Sequence, residues 1–183
     1  GWATAFELLI GRADMGIENA EALFKQFRVN GWINTNAAAE QIPIVTPGDV
    51  LTARGFGNNF YGKAAVGYLA MKDLLGDAMF KKCLHEYMKR WNGKHPVPWD
   101  FFYTFNISGK NLNWFWNKWF FEPTYIDLAL KNVKVTGNKY TLTIQNIGGM
   151  PAPADVVLNY KDGTKEVIHQ TPAMWQANQK QAT

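Results

Sequence analysis

The sequence has a single cysteine, few charges and no long apolar run, and each shortage excludes a class of protein. Cys83 is the one cysteine in 183 residues, so the chain forms no internal disulfide and no zinc site built from cysteines. No apolar run approaches the roughly 20 residues of a membrane-spanning helix, and no signal-peptide pattern is present. The net charge of +4 is too small and too scattered to indicate a nucleic-acid partner.

Apolar and aromatic side chains are abundant instead. Hydrophobic residues make up 47% of the chain and aromatic residues 15%, including eight tryptophans. Such a composition is typical of a globular protein, and the length suits one domain or one domain with a small second one. Large aromatics lie more often in cores than in ligand sites, so we interpret most of them as core residues.

Helical periodicity dominates the first two thirds of the sequence. The pattern predicts helices over residues 2–13, 17–29, about 60–75, 77–91, 98–106 and about 111–122. The apolar stripe of the second helix consists of Ala20, Leu23, Phe24 and Phe27. Residues 34–58 lack this periodicity and are rich in proline and glycine, which predicts a long irregular segment. A segment of this length is either functional or a surface excursion, and composition leaves both open.

After Tyr125 the apolar residues alternate, as they do in strands. Residues 127–146 predict a hairpin around Gly137-Asn138, and residues 154–171 predict a second one around Asp162-Gly163. Four strands with such turns indicate part of a β-sandwich. We therefore predict an α+β fold, with a helical domain over residues 1–123 and an incomplete antiparallel β-sandwich domain over residues 124–183.

The histidines do not form a metal-binding motif. His85-Glu86 begins like HExxH, in which two histidines one helical turn apart bind zinc, but Lys89 occupies the second histidine position. His95 and His169 have no suitable partners nearby in the sequence, so we predict three ordinary histidines. Cys83 has no activating neighbour and is interpreted as a structural thiol.

The start of the third helix is unusual. Gly62 in a first turn lowers helix stability by roughly 1 kcal/mol relative to alanine. With 3.6 residues per turn, Tyr61 lies about 100° from the buried stripe, on a flank shared with Ala65 and Tyr68. The stripe itself consists of Phe60, Ala64, Gly67, Met71 and Leu74. From residue type alone, Tyr61 is a half-buried aromatic at a helix start.

Several stretches, taken together and in order, resemble one family. GWATAFELL is similar to the segment that directly follows that family's third zinc ligand, a glutamate, and Tyr61-Gly62-Lys63-Ala64 resembles its Y-x-K-G signature at the expected spacing. LLGDAMFKKCLHEYMKRW, PWDFFYTF and SGKNLNWFWNKWFFEPTY are similar to its later helices. Ala64 and Asn111 stand where the family commonly has glycine and aspartate. The family is that of the zinc aminopeptidases of aminopeptidase N type, the M-one gluzincin metallopeptidases.

The resemblance implies a function and a site. Residues 1–123 would be the helical carboxy-terminal part of a thermolysin-like catalytic domain that removes residues from the N-terminus of peptides. HExxH and the ligand glutamate are expected upstream of Gly1, so the zinc belongs to the intact parent, and we expect the 183-residue chain to be inactive and to lack stoichiometric zinc. In this family zinc activates water, and a tyrosine donates a hydrogen bond to the oxyanion that forms. By resemblance, Tyr61 has this catalytic role.

Two alternatives stay open at this point: a non-catalytic module that binds peptide or protein, and a degenerate family member without its zinc motif. An upstream glutamate preceded by HExxH would favour the enzyme. The expected partner is a peptide substrate, with no nucleic acid and no membrane span in this segment. Many family members are secreted, periplasmic or membrane-attached, so the resemblance favours an extracytoplasmic location. Residue preference and oligomeric state do not follow from the sequence.

Overall fold

A computed structural model describes residues 1–33 and 41–183 of the chain. Helices form the first two thirds and β structure the last third. The helices are α1 (Trp2–Met15), α2 (Ile17–Phe24), α3 (Asn30–Ile33), α4 (Ala53–Gly57), α5 (Ala64–Leu75), α6 (Asp77–Trp91), α7 (Pro98–Phe105) and α8 (Asn113–Trp116). The π-helical turns Lys25–Val29, Asn58–Lys63 and Asn117–Phe121 adjoin α2, α5 and α8. Within the described ranges, no helix combines the length and hydropathy that a bilayer span requires.

Local sequence accounts for several helix ends. Gly76 separates α5 from α6 with a φ of 76°, a conformation that glycine adopts without strain. Pro98 begins α7, where a missing N–H breaks no helical hydrogen bond, and the Asp100 carboxylate accepts the Val97 N–H at 2.9 Å. Before α8, the side-chain oxygen of Asn111 accepts the Asn113 N–H at 3.1 Å, although the N-cap position itself is Leu112.

The core lies among α5, α6, α7 and α8. Trp119 is fully buried there, and a Cβ built on Gly67 would lie only 3.0 Å from its ring, so glycine lets α5 pack closely against the Asn117–Phe121 turn. The buried stripe predicted for the helix over residues 60–75, which is α5 here, is confirmed at Ala64, Gly67, Met71 and Leu74. Other members of the buried cluster include Phe80, Phe101, Phe105, Leu112, Phe115, Trp116 and Phe120.

The stripe predicted for the second helix is confirmed at Ala20 and wrong at Leu23 and Phe27. Ala20 is buried, but Leu23 is exposed and Phe27 is 66% exposed. The reason is that α1 and α2 approach each other at small residues, since a Cβ built on Gly11 would lie 3.4 Å from the Ala20 Cβ. The larger side chains therefore lie beside this contact rather than in it.

The irregular segment predicted over residues 34–58 is only partly irregular. Residues 34–40 lie outside the described residues. The remainder includes a short 3-10 helix at Gly48–Val50 and the helix α4, whose first turn is capped by Thr52. The Thr52 hydroxyl accepts the Gly55 N–H at 3.0 Å, a cap that the proline and glycine content of the stretch had obscured.

The β part contains two small antiparallel sheets. Both predicted hairpins are confirmed, whereas the two-residue strand at Gln181–Ala182 was too short to show alternation in the sequence. The strands are β1 (Leu128–Thr136), β2 (Lys139–Asn146), β3 (Ala154–Asn159), β4 (Lys165–Gln170) and β5 (Gln181–Ala182), arranged as β1-β2-β5 and β3-β4. Residues of both sheets, such as Leu142 and Ile168, line a cleft of about 440 Å³. The fold is therefore α+β with small antiparallel sheets.

Polar contacts connect the helical part to the β part. The indole N–H of Trp119 donates to the Pro151 carbonyl at 3.2 Å. His169 of β4 lies between two carboxylates, with Nδ1 2.6 Å from Asp155 Oδ1 and Nε2 3.0 Å from Asp73 Oδ1 of α5. No partner of His169 was predicted, because Asp73 is 96 residues away along the chain.

His169 is expected to make the stability of the chain depend on pH. Hydrogen bonds that the ring N–H groups donate to the carboxylates of Asp155 and then Asp73 raise the pKa of His169 above its usual 6.5. The stabilisation is therefore complete below pH 6.5, the unperturbed value, and is lost as the pH rises through the raised pKa. The side chain is half exposed, so solvent screening limits the effect to about 1 kcal/mol or less.

Urea unfolding of the wild type and of His169→Asn, at about pH 6 and about pH 9, measures this contribution. The stability advantage of the wild type over the variant should be larger at the lower pH. The comparison between two proteins at each pH cancels the titration of every other group. An advantage that does not change with pH would contradict the prediction.

Candidate functional site

Tyr61 lies in the π-helical turn Asn58–Lys63, called the Tyr61 turn below. Its side chain is 47% exposed, and its ring centroid lies 6.4 Å from that of Phe56. The flank predicted for it is wrong, because Ala65 is fully buried and Tyr68 stacks on Trp2 with ring centroids 3.8 Å apart. A π turn has more residues per turn than an α-helix, so it rotates Tyr61 away from these two residues. Such turns are frequent at functional sites.

Close backbone packing explains why a glycine occupies position 62. A Cβ built on it would lie 2.5 Å from the carbonyl oxygen of Arg28 and 3.6 Å from the Trp32 Cβ. Arg28 belongs to the Lys25–Val29 turn, so the backbones of two π-helical turns meet at this glycine. The residue that weakens the helix locally is the one that lets the Tyr61 turn pack against its neighbour.

Asn59 and Lys63 occupy the buried side of the same turn. Their exposed fractions are 4% and 2%. The Asn59 side-chain amide donates to the Pro43 carbonyl at 2.9 Å, and the Lys63 ammonium donates to the Ile42 carbonyl at 2.9 Å. Burial lowers the pKa of Lys63 to about 8. Neither residue is singled out by the sequence patterns, although a lysine at the start of an apolar helix is a usable signal.

The start of α1 lies against the Tyr61 turn. The nitrogen of Gly1 donates to the carbonyl of Phe60 at 2.5 Å, although the two residues are 59 apart in the sequence. A Cβ built on Gly1 would lie 2.7 Å from both the Ala64 Cβ and the Tyr68 ring, so a side chain is not tolerated at this contact. The opening GWATAFELL and the Tyr61-Gly62-Lys63-Ala64 stretch are thus neighbours in space.

An apolar groove of about 590 Å³ runs between α1 and α6. Trp2, Phe6 and Leu9 line it from α1, and Phe80 and Leu84 line it from α6. Phe6 is partly exposed there. The groove begins at the second residue of the chain, close to the contact between Gly1 and the Tyr61 turn.

Residues 1–33 and 41–183 contain no group of three histidine, cysteine, aspartate or glutamate side chains placed to hold a metal ion. These residues therefore do not fit a zinc centre by themselves. Cys83 is fully buried, and burial raises the pKa of its thiol, which makes it a packing residue rather than a nucleophile.

Comparisons with known proteins assign no family. No protein-family model matches the chain, and no curated protein matches it.

Proposed function

We propose that the chain is the carboxy-terminal part of a zinc-dependent aminopeptidase in which Tyr61 stabilises the oxyanion of peptide hydrolysis. One observation carries the proposal: the nitrogen of Gly1 lies 2.5 Å from the carbonyl of Phe60, the residue directly before Tyr61. The resemblance puts a zinc-binding glutamate directly before Gly1. The hydroxyl of Tyr61 could act beside such a metal only if these two parts of the chain were adjacent, and they are.

The surroundings of Tyr61 suit a hydrogen-bond donor. A phenolic hydroxyl donates at neutral pH, and a donor that is held in place before the reaction stabilises a developing oxyanion most effectively. The side chain is half exposed, so a substrate carbonyl can reach it. The backbone behind it is held through Gly62, Lys63 and Asn59.

We propose that residues 1–123 are the helical part of a thermolysin-like domain and that residues 124–183 are an incomplete β-sandwich. The aromatic core of the helical part and the cleft shared by the two sheets support this assignment. Zinc would be held by residues that precede Gly1, since the described residues offer no ligand set.

The test compares a longer polypeptide, which includes the sequence upstream of Gly1, with the 183-residue chain. We expect the longer form to contain stoichiometric zinc and to hydrolyse an amino-acid p-nitroanilide, and the 183-residue chain to do neither. Metal analysis and the release of nitroaniline measure the two properties. Stoichiometric zinc on the 183-residue chain, or a longer form without activity, would contradict the proposal.

The alternative is a non-catalytic module that binds peptide or protein. The apolar groove between α1 and α6 favours it, because exposed apolar surface of this kind commonly marks an interaction site. The same comparison separates the two functions. A longer form without an intact HExxH would favour the module, and so would one that leaves the groove accessible and shows no hydrolysis.

A further inference from the structure

Three residues of the Tyr61 turn divide between two faces. Asn59 and Lys63, which are four residues apart, point into the protein, and Tyr61, midway between them, points out. Residues four apart lie close to one another around a π turn, and the residue midway between them lies on the far side. The direction of Tyr61 is therefore set by whatever holds Asn59 and Lys63.

What holds them is a segment without regular secondary structure. The carbonyls of Ile42 and Pro43 accept from Lys63 and Asn59, respectively, each at 2.9 Å. Carbonyls outside helices and sheets need partners from elsewhere when they are buried. Lys63 provides one for Ile42, and Asn59 adds a second to Pro43, whose carbonyl also accepts the Thr46 N–H at 3.0 Å. Two residues further on, the Val45 N–H donates to the Phe120 carbonyl at 3.1 Å. The segment thus connects the Tyr61 turn to the end of the aromatic core.

We propose that Asn59 and Lys63 are positioning residues. Their hydrogen bonds to the carbonyls of Pro43 and Ile42 fix the rotation of the Tyr61 turn, so that the tyrosine hydroxyl faces the substrate. This inference rests on the proposed catalytic role of Tyr61. It assigns two buried residues a role in the reaction, although neither contacts the substrate.

Burial of Lys63 is costly, which makes a purely structural role a poor explanation. An ammonium group removed from water loses hydration, a cost that an apolar side chain of the same length would not have. The lowered pKa of Lys63 reflects that loss of hydration. What a lysine provides and a methionine does not is a long side chain that ends in a hydrogen-bond donor.

The first experiment uses the 183-residue chain and needs no activity. Lys63→Met keeps the length of the side chain and removes the donor, and amide hydrogen exchange reports local opening. We expect faster exchange in the Tyr61 turn and in residues 41–45, with β1 and β2 unchanged. Lys110→Met is the control for the loss of a lysine donor, because Lys110, which is exposed, also donates to a backbone carbonyl, that of Leu74 at 3.3 Å. Unchanged exchange in the Tyr61 turn of Lys63→Met would overturn the inference.

The second experiment is a double-mutant cycle in the active polypeptide. Lys63→Met should lower kcat by roughly 10- to 100-fold and leave KM nearly unchanged, because a small displacement of a catalytic group has effects of this size. In the Tyr61→Phe background the same substitution should lower kcat only slightly, since no hydroxyl remains whose position could matter. If Lys63→Met does not fold, Asn59→Ala takes its place in both experiments.

The outcomes separate the inference from the proposed function. Equal losses in kcat with and without the Tyr61 hydroxyl would overturn the positioning role and leave the catalytic role of Tyr61 intact. A Tyr61→Phe enzyme with normal kcat would instead overturn the catalytic role, and with it the positioning role, whatever the exchange experiment shows. Strong non-additivity together with local exchange effects would support both.

Discussion

Replacing Tyr61 by phenylalanine in the longer, zinc-containing polypeptide of the proposed function is expected to lower kcat by about 10²- to 10³-fold, the usual cost of removing one oxyanion donor. The substitution removes a single oxygen from a side chain that is half exposed, so the fold and the zinc content should not change. Steady-state kinetics with a peptide substrate and metal analysis of the same preparation measure both. Only the hydroxyl differs between the two proteins.

Tyr103→Phe is the matched control for this measurement. Tyr103 lies on α7, is also exposed, and loses the same atom. We expect this variant to keep wild-type kcat. Near-normal turnover of Tyr61→Phe, or an equal loss in both variants, would remove Tyr61 from the mechanism.

Replacing Gly62 by alanine should lower the free energy of unfolding by about 1–3 kcal/mol, the usual cost of overpacking. Helix propensity alone predicts the opposite, a gain of roughly 1 kcal/mol. The contact with the Arg28 carbonyl decides the sign, because a Cβ at 2.5 Å from a backbone oxygen forces two backbones apart. Chemical denaturation of the 183-residue chain measures the change.

Gly57→Ala provides the comparison within the same stretch. Gly57 ends α4 in ordinary helical conformation, and a Cβ built there meets nothing within 4 Å. Alanine should therefore stabilise the protein at this position by about 0.5–1 kcal/mol, as the loss of backbone freedom in the unfolded chain predicts. If Gly62→Ala were as stable as Gly57→Ala, the contact between position 62 and the Arg28 carbonyl would not affect the free energy of unfolding.

Local patterns predicted much of the architecture. The helix pair around Gly76, the helix that begins at Pro98 and both hairpins appear where periodicity and turn residues indicated. These features depend on neighbours within a few residues of each other, which a sequence displays directly. The stripe of the second helix failed because its burial depends on how closely Gly11 meets Ala20, a contact between helices.

The candidate site depends more on contacts between distant parts of the chain, so less of its structure could be predicted from the sequence. Tyr61 was predicted by resemblance, and its exposure is compatible with that role. The hydrogen bonds from Asn59 and Lys63 to the carbonyls of residues 43 and 42 were not predicted. No sequence pattern connects a side chain to a carbonyl 16 or 21 residues away. The ion pair of His169 with Asp73 was missed for the same reason.

The π-helical form of the Tyr61 turn makes this part of the chain sensitive to length as well as to residue type. A π turn closes each hydrogen bond over one more residue than an α-helix does. Deletion of a single codon within residues 58–60, before the tyrosine, should let the segment close as an ordinary α-helix and leave the apolar register of α5 in place. Tyr61 would then turn towards the flank of Ala65 and Tyr68. A change of length in this turn would thus redirect the hydroxyl while α5 keeps its buried face.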